Sequence, residues 1–165
     1  MPRLPITAAV AAALLSVHAA RATEVKEAVR TSAPPAKVLA IMGRFDAIGT
    51  WLPGVESSPA DKGNEAGSVR VITLKAPGSP TVTERLTTST NTGYSYTISK
   101  VDPKVLPVSE YSSTLNVAPD GTGSVVTWQG TFKPAGGADD ATAGKAITGL
   151  YRAGLDNIKA LAERQ

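Results

Sequence analysis

The 165-residue sequence predicts an α+β domain: an antiparallel β-sheet that curves beneath one long C-terminal α-helix. Three observations predict it. Five strand-like segments follow one another between Ser68 and Phe132 with only short turn sequences between them, as antiparallel neighbours require. After them the apolar period changes, and Ile147, Leu150, Tyr151, Gly154, Leu155, Ile158 and Leu161 recur at helical spacing. The chain left after its first 22 residues is the size of one domain with one core.

Taken in order, residues 1–22 read as a signal peptide. Arg3 gives a basic start, and residues 6–17 (ITAAVAAALLSV) form an apolar stretch, too short for the roughly 20 residues that span a bilayer. Ala20-Arg21-Ala22 places small residues where a signal peptidase needs them, with cleavage expected before Thr23; cutting after Ala19 or Ala20 is the alternative. A buried or amphipathic N-terminal helix is the other reading. No second long apolar run follows, so stable membrane insertion is not expected and the periplasm is the expected destination, with secretion as its alternative.

Residues 23–165 are expected to form the domain. Thr23–Ser32 reads as a strand anchored by Val25 and Val29, although its Glu and Lys residues also suit a helix. Pro34-Pro35 leads into a short helix, AKVLAIMGRF. Gly43, Gly49 and Pro53-Gly54 then divide FDAIGTWLPGV into helical turns and a loop. The five strands are SVRVITL, TVTERLTT, YSYTISK, SEYSSTLNVA and GSVVTWQGTF, with turns at Asn91-Thr92-Gly93 and Pro119-Asp120-Gly121. The loop KPAGGADD follows, and Asp139 and Asp140 sit where negative charge favours a helix N-terminus.

Composition excludes several chemistries. The one histidine, His18, belongs to the expected leader, and the chain has no cysteine. The processed protein therefore has no material for a His or Cys metal site, a Ser-His-Asp triad or a disulfide, and neither metal nor cofactor is expected. Arg3 and Arg21 leave with the leader, so 17 basic residues become 15 against 14 acidic ones. These are scattered, without the basic stripe that tracks phosphates, and no nucleic-acid partner is expected.

Strand alternation selects the inward residues. Arg70 shares a face with Ile72 and Leu74, and Glu84 with Val82 and Leu86. A lone buried charge is costly, so the two are expected to pair, or to orient water or a polar group of a ligand. A bulge that turns one of them to solvent is the alternative. Tyr94 and Tyr96 share one face, Trp128 and Phe132 another, and Tyr111 aligns with Leu115. Each of these aromatics reads as core or as pocket lining. Trp51-Leu52-Pro53-Gly54-Val55 and the segment from Pro103 to Tyr111 are candidate mouth loops, or plain connections.

In this order, PPAKVLAIMGRFDAIGTWLPGV, GSVRVITL, TVTERL, YSYTI, LPVSEYSSTLNV, GSVVTWQGTF and GLDNIKALAE resemble the polyketide cyclase/dehydrase-like branch of the START-like helix-grip (SRPBCC) superfamily. The resemblance implies a curved sheet gripping the C-terminal helix around a hydrophobic cavity, with the WLPGV loop and the Leu106-Pro107 segment flanking its entrance. The expected function is binding of a small hydrophobic or amphipathic ligand, with Trp51, Pro53, Arg70, Glu84, Tyr94, Tyr96, Pro107, Tyr111, Trp128 and Phe132 as candidate ligand-binding residues. One alternative is an accessory protein docking on a periplasmic enzyme, a role that exported relatives have in methanol oxidation. The other is a cyclase or dehydratase, with Glu84 as general acid or base and Arg70 stabilising an enolate. The missing histidine departs from relatives that use one near the cavity.

Overall fold

A computed structural model describes residues 22–164. The expected leader therefore lies outside the described residues, apart from Ala22. The elements are β1 (Thr23–Thr31), α1 (Pro35–Met42), a 3-10 turn (Phe45–Ala47), α2 (Ile48–Trp51), β2 (Val55–Ser57), β3 (Val69–Leu74), β4 (Thr81–Thr90), β5 (Gly93–Lys100), β6 (Val108–Asp120), β7 (Gly123–Pro134) and α3 (Asp140–Glu163).

The strands form one sheet in the order β1-β7-β6-β5-β4-β3-β2, every pair antiparallel. From β1 at one edge the chain crosses through α1 and α2 to the other edge, and meanders back until β7 meets β1. That pairing decides the ambiguity in the first segment. Register runs unbroken from Thr23↔Phe132 to Thr31↔Ser124, and the ladder overrides the helical tendency of Glu and Lys. The second hairpin is tighter than expected: Asp120 pairs with Gly123, leaving Gly121 and Thr122 as a two-residue loop, and Pro119 belongs to the strand. The short β2 had no legible signal, being three residues long and next to Pro53-Gly54.

Register shifts at Thr83/Glu84, Leu86/Thr88 and Ser109/Ser112 mark irregularities of the bulge type, which bend strands and increase twist. Across the curved sheet lies α3, capped by Asp139, whose carboxylate accepts from the Thr142 backbone N–H at 2.7 Å. Ala143, Ile147, Tyr151, Gly154, Leu155, Ile158 and Ala162 form its buried face. Burying each of Ile147, Leu155 and Ile158 contributes about 1.5–3 kcal/mol. Gly154 permits a close approach of α3 to the sheet, since a Cβ there would lie 2.7 Å from the Trp128 ring and 3.1 Å from that of Trp51. No helix among the described residues is long and apolar enough to cross a membrane.

Candidate ligand-binding cavity

The sheet, α2 and α3 enclose a cavity of about 120 Å³. Its wall alternates as a pleated sheet requires, taking Ile72 from β3, Val82 and Glu84 from β4, Tyr96 from β5, Tyr111 from β6 and Trp128 from β7. Ile48 and Leu52 close it from α2. These residues are buried, whereas Leu74, Ile98, Val105, Leu106 and Leu150 are half-buried and mark the open side. The lining is apolar except for one carboxylate, the two tyrosine hydroxyls and the indole N–H.

Arg70 and Glu84 are direct partners in the β3–β4 register. Arg70 Nε donates to Glu84 Oε2 at 2.6 Å, and Nη2 lies 2.5 Å from the same oxygen. Nη1 donates to the Phe45 carbonyl oxygen, tying the 3-10 turn to the sheet. The guanidinium also sits 4.1 Å from the Phe45 ring centroid and 5.1 Å from that of Tyr96, a cation–π enclosure. Arg70 is 0% exposed and Glu84 5%. Burial opposes the charge on Arg70, but Glu84 and the neighbouring tyrosines outweigh it and hold the proton more tightly than usual. Burial pushes the Glu84 carboxyl up, and the charge and hydrogen bonds of Arg70 pull against that shift. Each charge is tolerable only because of the other.

A second polar cluster lies deeper, where α3 crosses the sheet. Ser113 Oγ donates to the Gln129 carbonyl oxygen at 2.8 Å. A carbonyl can only accept, and this fixes the direction of the rest. Tyr151 donates to Ser113 Oγ at 3.0 Å, Tyr111 to Tyr151 at 2.6 Å, and Tyr96 faces Tyr111 at 3.4 Å. Trp128 Nε1 donates to Ser113 Oγ at 3.0 Å and to the Tyr96 hydroxyl at 3.2 Å. Gly130 leaves the room that the Tyr151 hydroxyl occupies. Burial raises the pKa of Tyr96 and Tyr111 well above the usual value and pushes Tyr151 up to about 12. All three are neutral near pH 7.

Of the residues expected at the site, the structure brings Glu84, Tyr96, Tyr111 and Trp128 onto the cavity wall. Arg70 stands behind Glu84 rather than on the wall, so an enolate in the cavity would not reach it. Tyr94 and Phe132 are core, Tyr94 packing edge-on to Phe45 and Phe132 stacking on Tyr111. Trp51 is not at a mouth: it is 1% exposed and packs against Trp128 at 5.5 Å. The last turn of α2 points it inward beneath α3, where Asn157 Nδ2 donates to its carbonyl, and Leu52 faces the cavity instead. Pro53 is exposed, and Pro107 is half-buried beside the lining residues Val105 and Leu106. Sequence reasoning missed Ser113 and Tyr151, which do not line the cavity but hold the hydroxyls that do. Their signals were present: a serine at apolar parity with Tyr111 and Leu115, and a hydroxyl within an otherwise aliphatic helical stripe.

The seven-stranded antiparallel sheet, its long C-terminal helix and the cavity between them define a START-like helix-grip protein of the SRPBCC superfamily. Residues 22–163 match the family described as polyketide cyclase/dehydrase and lipid transport, and the chain belongs to that family, a group of ligand-binding or cyclase-like proteins. Among solved structures, the protein XoxI from Bacillus cereus is 27% identical with a TM-score of 0.74, covering 84% of this chain and 94% of its own. An uncharacterised protein from Bacillus thuringiensis is 26% identical with a TM-score of 0.73, covering 86% of this chain and 99% of its own. Ara h 8.0201, at 18% identity and a TM-score of 0.68, covers 86% of this chain and 98% of its own and shares the fold. No curated protein matches the chain.

Proposed function

We propose that this protein is exported, processed before Thr23, and binds a small hydrophobic or amphipathic molecule in the cavity beside Glu84. The observation that carries the reading is an apolar interior cavity with a few convergent polar groups, the usual composition of a ligand site. Its volume sets the ligand's size. A cavity of about 150 Å³ accommodates benzene, so about 120 Å³ suits a single ring or a short chain. A long-chain lipid or a multi-ring polyketide exceeds it.

Native mass spectrometry of protein purified from its own periplasm tests this reading. The expected result is a chain beginning at Thr23, or within three residues of it, with a co-purifying small molecule. A soluble chain retaining Met1 to Ala22 would remove the export argument, and empty protein that takes up no apolar probe would remove the binding one. The likeness to XoxI favours a second reading, an accessory protein that docks on a periplasmic enzyme such as one of methanol oxidation. The same spectrum distinguishes it by a second protein in place of a small molecule.

A further inference from the structure

We infer that the cavity selects a neutral molecule carrying one hydrogen-bond donor, a hydroxyl or a neutral N–H, and seats that donor on Glu84 Oε1. The inference rests on the binding function proposed above and adds the ligand's charge and polarity. Its starting point is the asymmetry of the ion pair. Both guanidinium contacts from Arg70 fall on Oε2. Oε1 accepts no hydrogen bond from any described residue, and it is not among the buried side-chain atoms sealed away without a partner. Glu84 lines the cavity while being 5% exposed, so Oε1 is an unfilled acceptor at the edge of an apolar space.

Charge bookkeeping then sets the ligand class. The Arg70–Glu84 pair is neutral as a unit. A cationic ligand would leave the buried site with an unbalanced positive charge, and an anionic one would meet a carboxylate oxygen. Neither cost is offset in a weakly polar interior. Arg70 offers an anion no separate seat: it is not on the cavity wall, Nε and Nη1 are held by Glu84 and the Phe45 carbonyl, and Nη2, although without a hydrogen-bond partner, lies 2.5 Å from the carboxylate that an anion would meet. The remaining polar groups do not compete for the donor. Trp128 Nε1 and the hydroxyls of Tyr96 and Tyr111 bond to one another and to Ser113 and Tyr151. What is left is a donor-seeking carboxylate oxygen surrounded by aliphatic and aromatic carbon. A donor delivered to a charged acceptor makes the stronger kind of hydrogen bond.

The test is a titration at pH 7 with probes of matched size: phenol against toluene, and benzyl alcohol against benzylammonium and benzoate. Phenol should bind at least tenfold more tightly than toluene, and benzyl alcohol at least tenfold more tightly than either ion. In the charge-free variant Arg70→Met with Glu84→Leu, the preference for phenol over toluene should fall to near unity. Toluene binding as well as phenol to the unaltered protein would overturn the inference while leaving cavity binding intact. Saturation by none of the probes would remove the binding reading itself. Tighter binding of either ion than of benzyl alcohol would overturn the charge argument. Should the double variant not fold, a crystal structure with phenol decides the matter: its oxygen belongs within hydrogen-bond distance of Glu84 Oε1, and a position against the Tyr111 hydroxyl instead would contradict the inference.

Discussion

Two polar regions lie inside this protein, and they are built on opposite principles. The hydroxyl chain from Tyr96 through Tyr111 and Tyr151 to Ser113 ends on a backbone carbonyl, so each of its links has an assigned donor and acceptor. The Arg70–Glu84 pair, about one strand spacing away in the same sheet, hydrogen-bonds through Nε and Nη1, leaves Nη2 with only its charge contact to Oε2, and is open at Oε1. A saturated network specifies how helix and sheet fit together and needs nothing from outside. An unsaturated one at a cavity wall has capacity left over, and that spare capacity can recognise a ligand. The difference separates architecture from function within a few ångströms.

The largest effect should come from unbalancing the pair. Arg70→Met alone, or Glu84→Gln alone, leaves its partner buried, at a cost of about 3–5 kcal/mol. The two changes together should cost much less than the two single losses added, a coupling that a double-mutant cycle in denaturant measures directly. Additive effects with a coupling below about 0.5 kcal/mol would mean that the two side chains do not hold one another in solution.

A smaller loss is expected from the saturated network. Tyr151→Phe removes its central link and leaves Tyr111 and Ser113 each short of a partner, costing about 1–3 kcal/mol. Because the preference is set at Glu84 Oε1 and not in this hydroxyl chain, phenol should still bind more tightly than toluene. Loss of that preference would erase the distinction between the two regions.

Next is Gly154→Ala, whose sign is informative. Alanine suits a helix better than glycine by about 1 kcal/mol, yet its Cβ would meet the Trp128 ring and Leu52 at the crossing of α3 over the sheet. Overpacking of this kind costs about 1–3 kcal/mol, so the variant should melt at a lower temperature. Stabilisation would show that the crossing is looser than described.

Asp139 should give the smallest effect, confined to acid. Hydrogen bonds from Thr142 hold its carboxyl below the usual carboxylate range. A group with a lowered folded pKa contributes fully above its unfolded value and loses that contribution as pH falls through the folded one. Asp139→Ala should therefore lower stability slightly at neutral pH and converge on the parent in acid. Melting curves at several pH values check it, and a gap that widens in acid would contradict the cap.

Much of this was legible in the sequence because strand parity is a strong code. It placed Arg70 and Glu84 among apolar neighbours on consecutive strands and so led to the expectation of a pair; the direct register comes from the structure. It likewise turned Tyr96, Tyr111 and Trp128 inward. Parity says which face a residue is on, but not how deep it lies. Tyr94 and Phe132 share the inward face yet pack outside the cavity, Tyr94 against Phe45 and Phe132 against Tyr111. Trp51 was illegible for another reason: α2 has four residues, too few for a period to show its direction. The hydroxyl chain depends on contacts between α3 and the sheet at sequence separations of 38 and 40, which no local pattern encodes.

The central claim is that the space beside Glu84, and no other surface, receives an apolar molecule. Methyl-resolved NMR during a toluene titration tests this most directly. The methyl groups of Ile48, Leu52, Ile72, Ile98 and Leu150 line the cavity, whereas Ile41 and Leu161 line a larger, more open depression beside α1 and α3, of about 560 Å³. The account predicts saturable shifts in the first set and none in the second. Shifts confined to Ile41 and Leu161, or no saturable shift at any of these methyls, would contradict it.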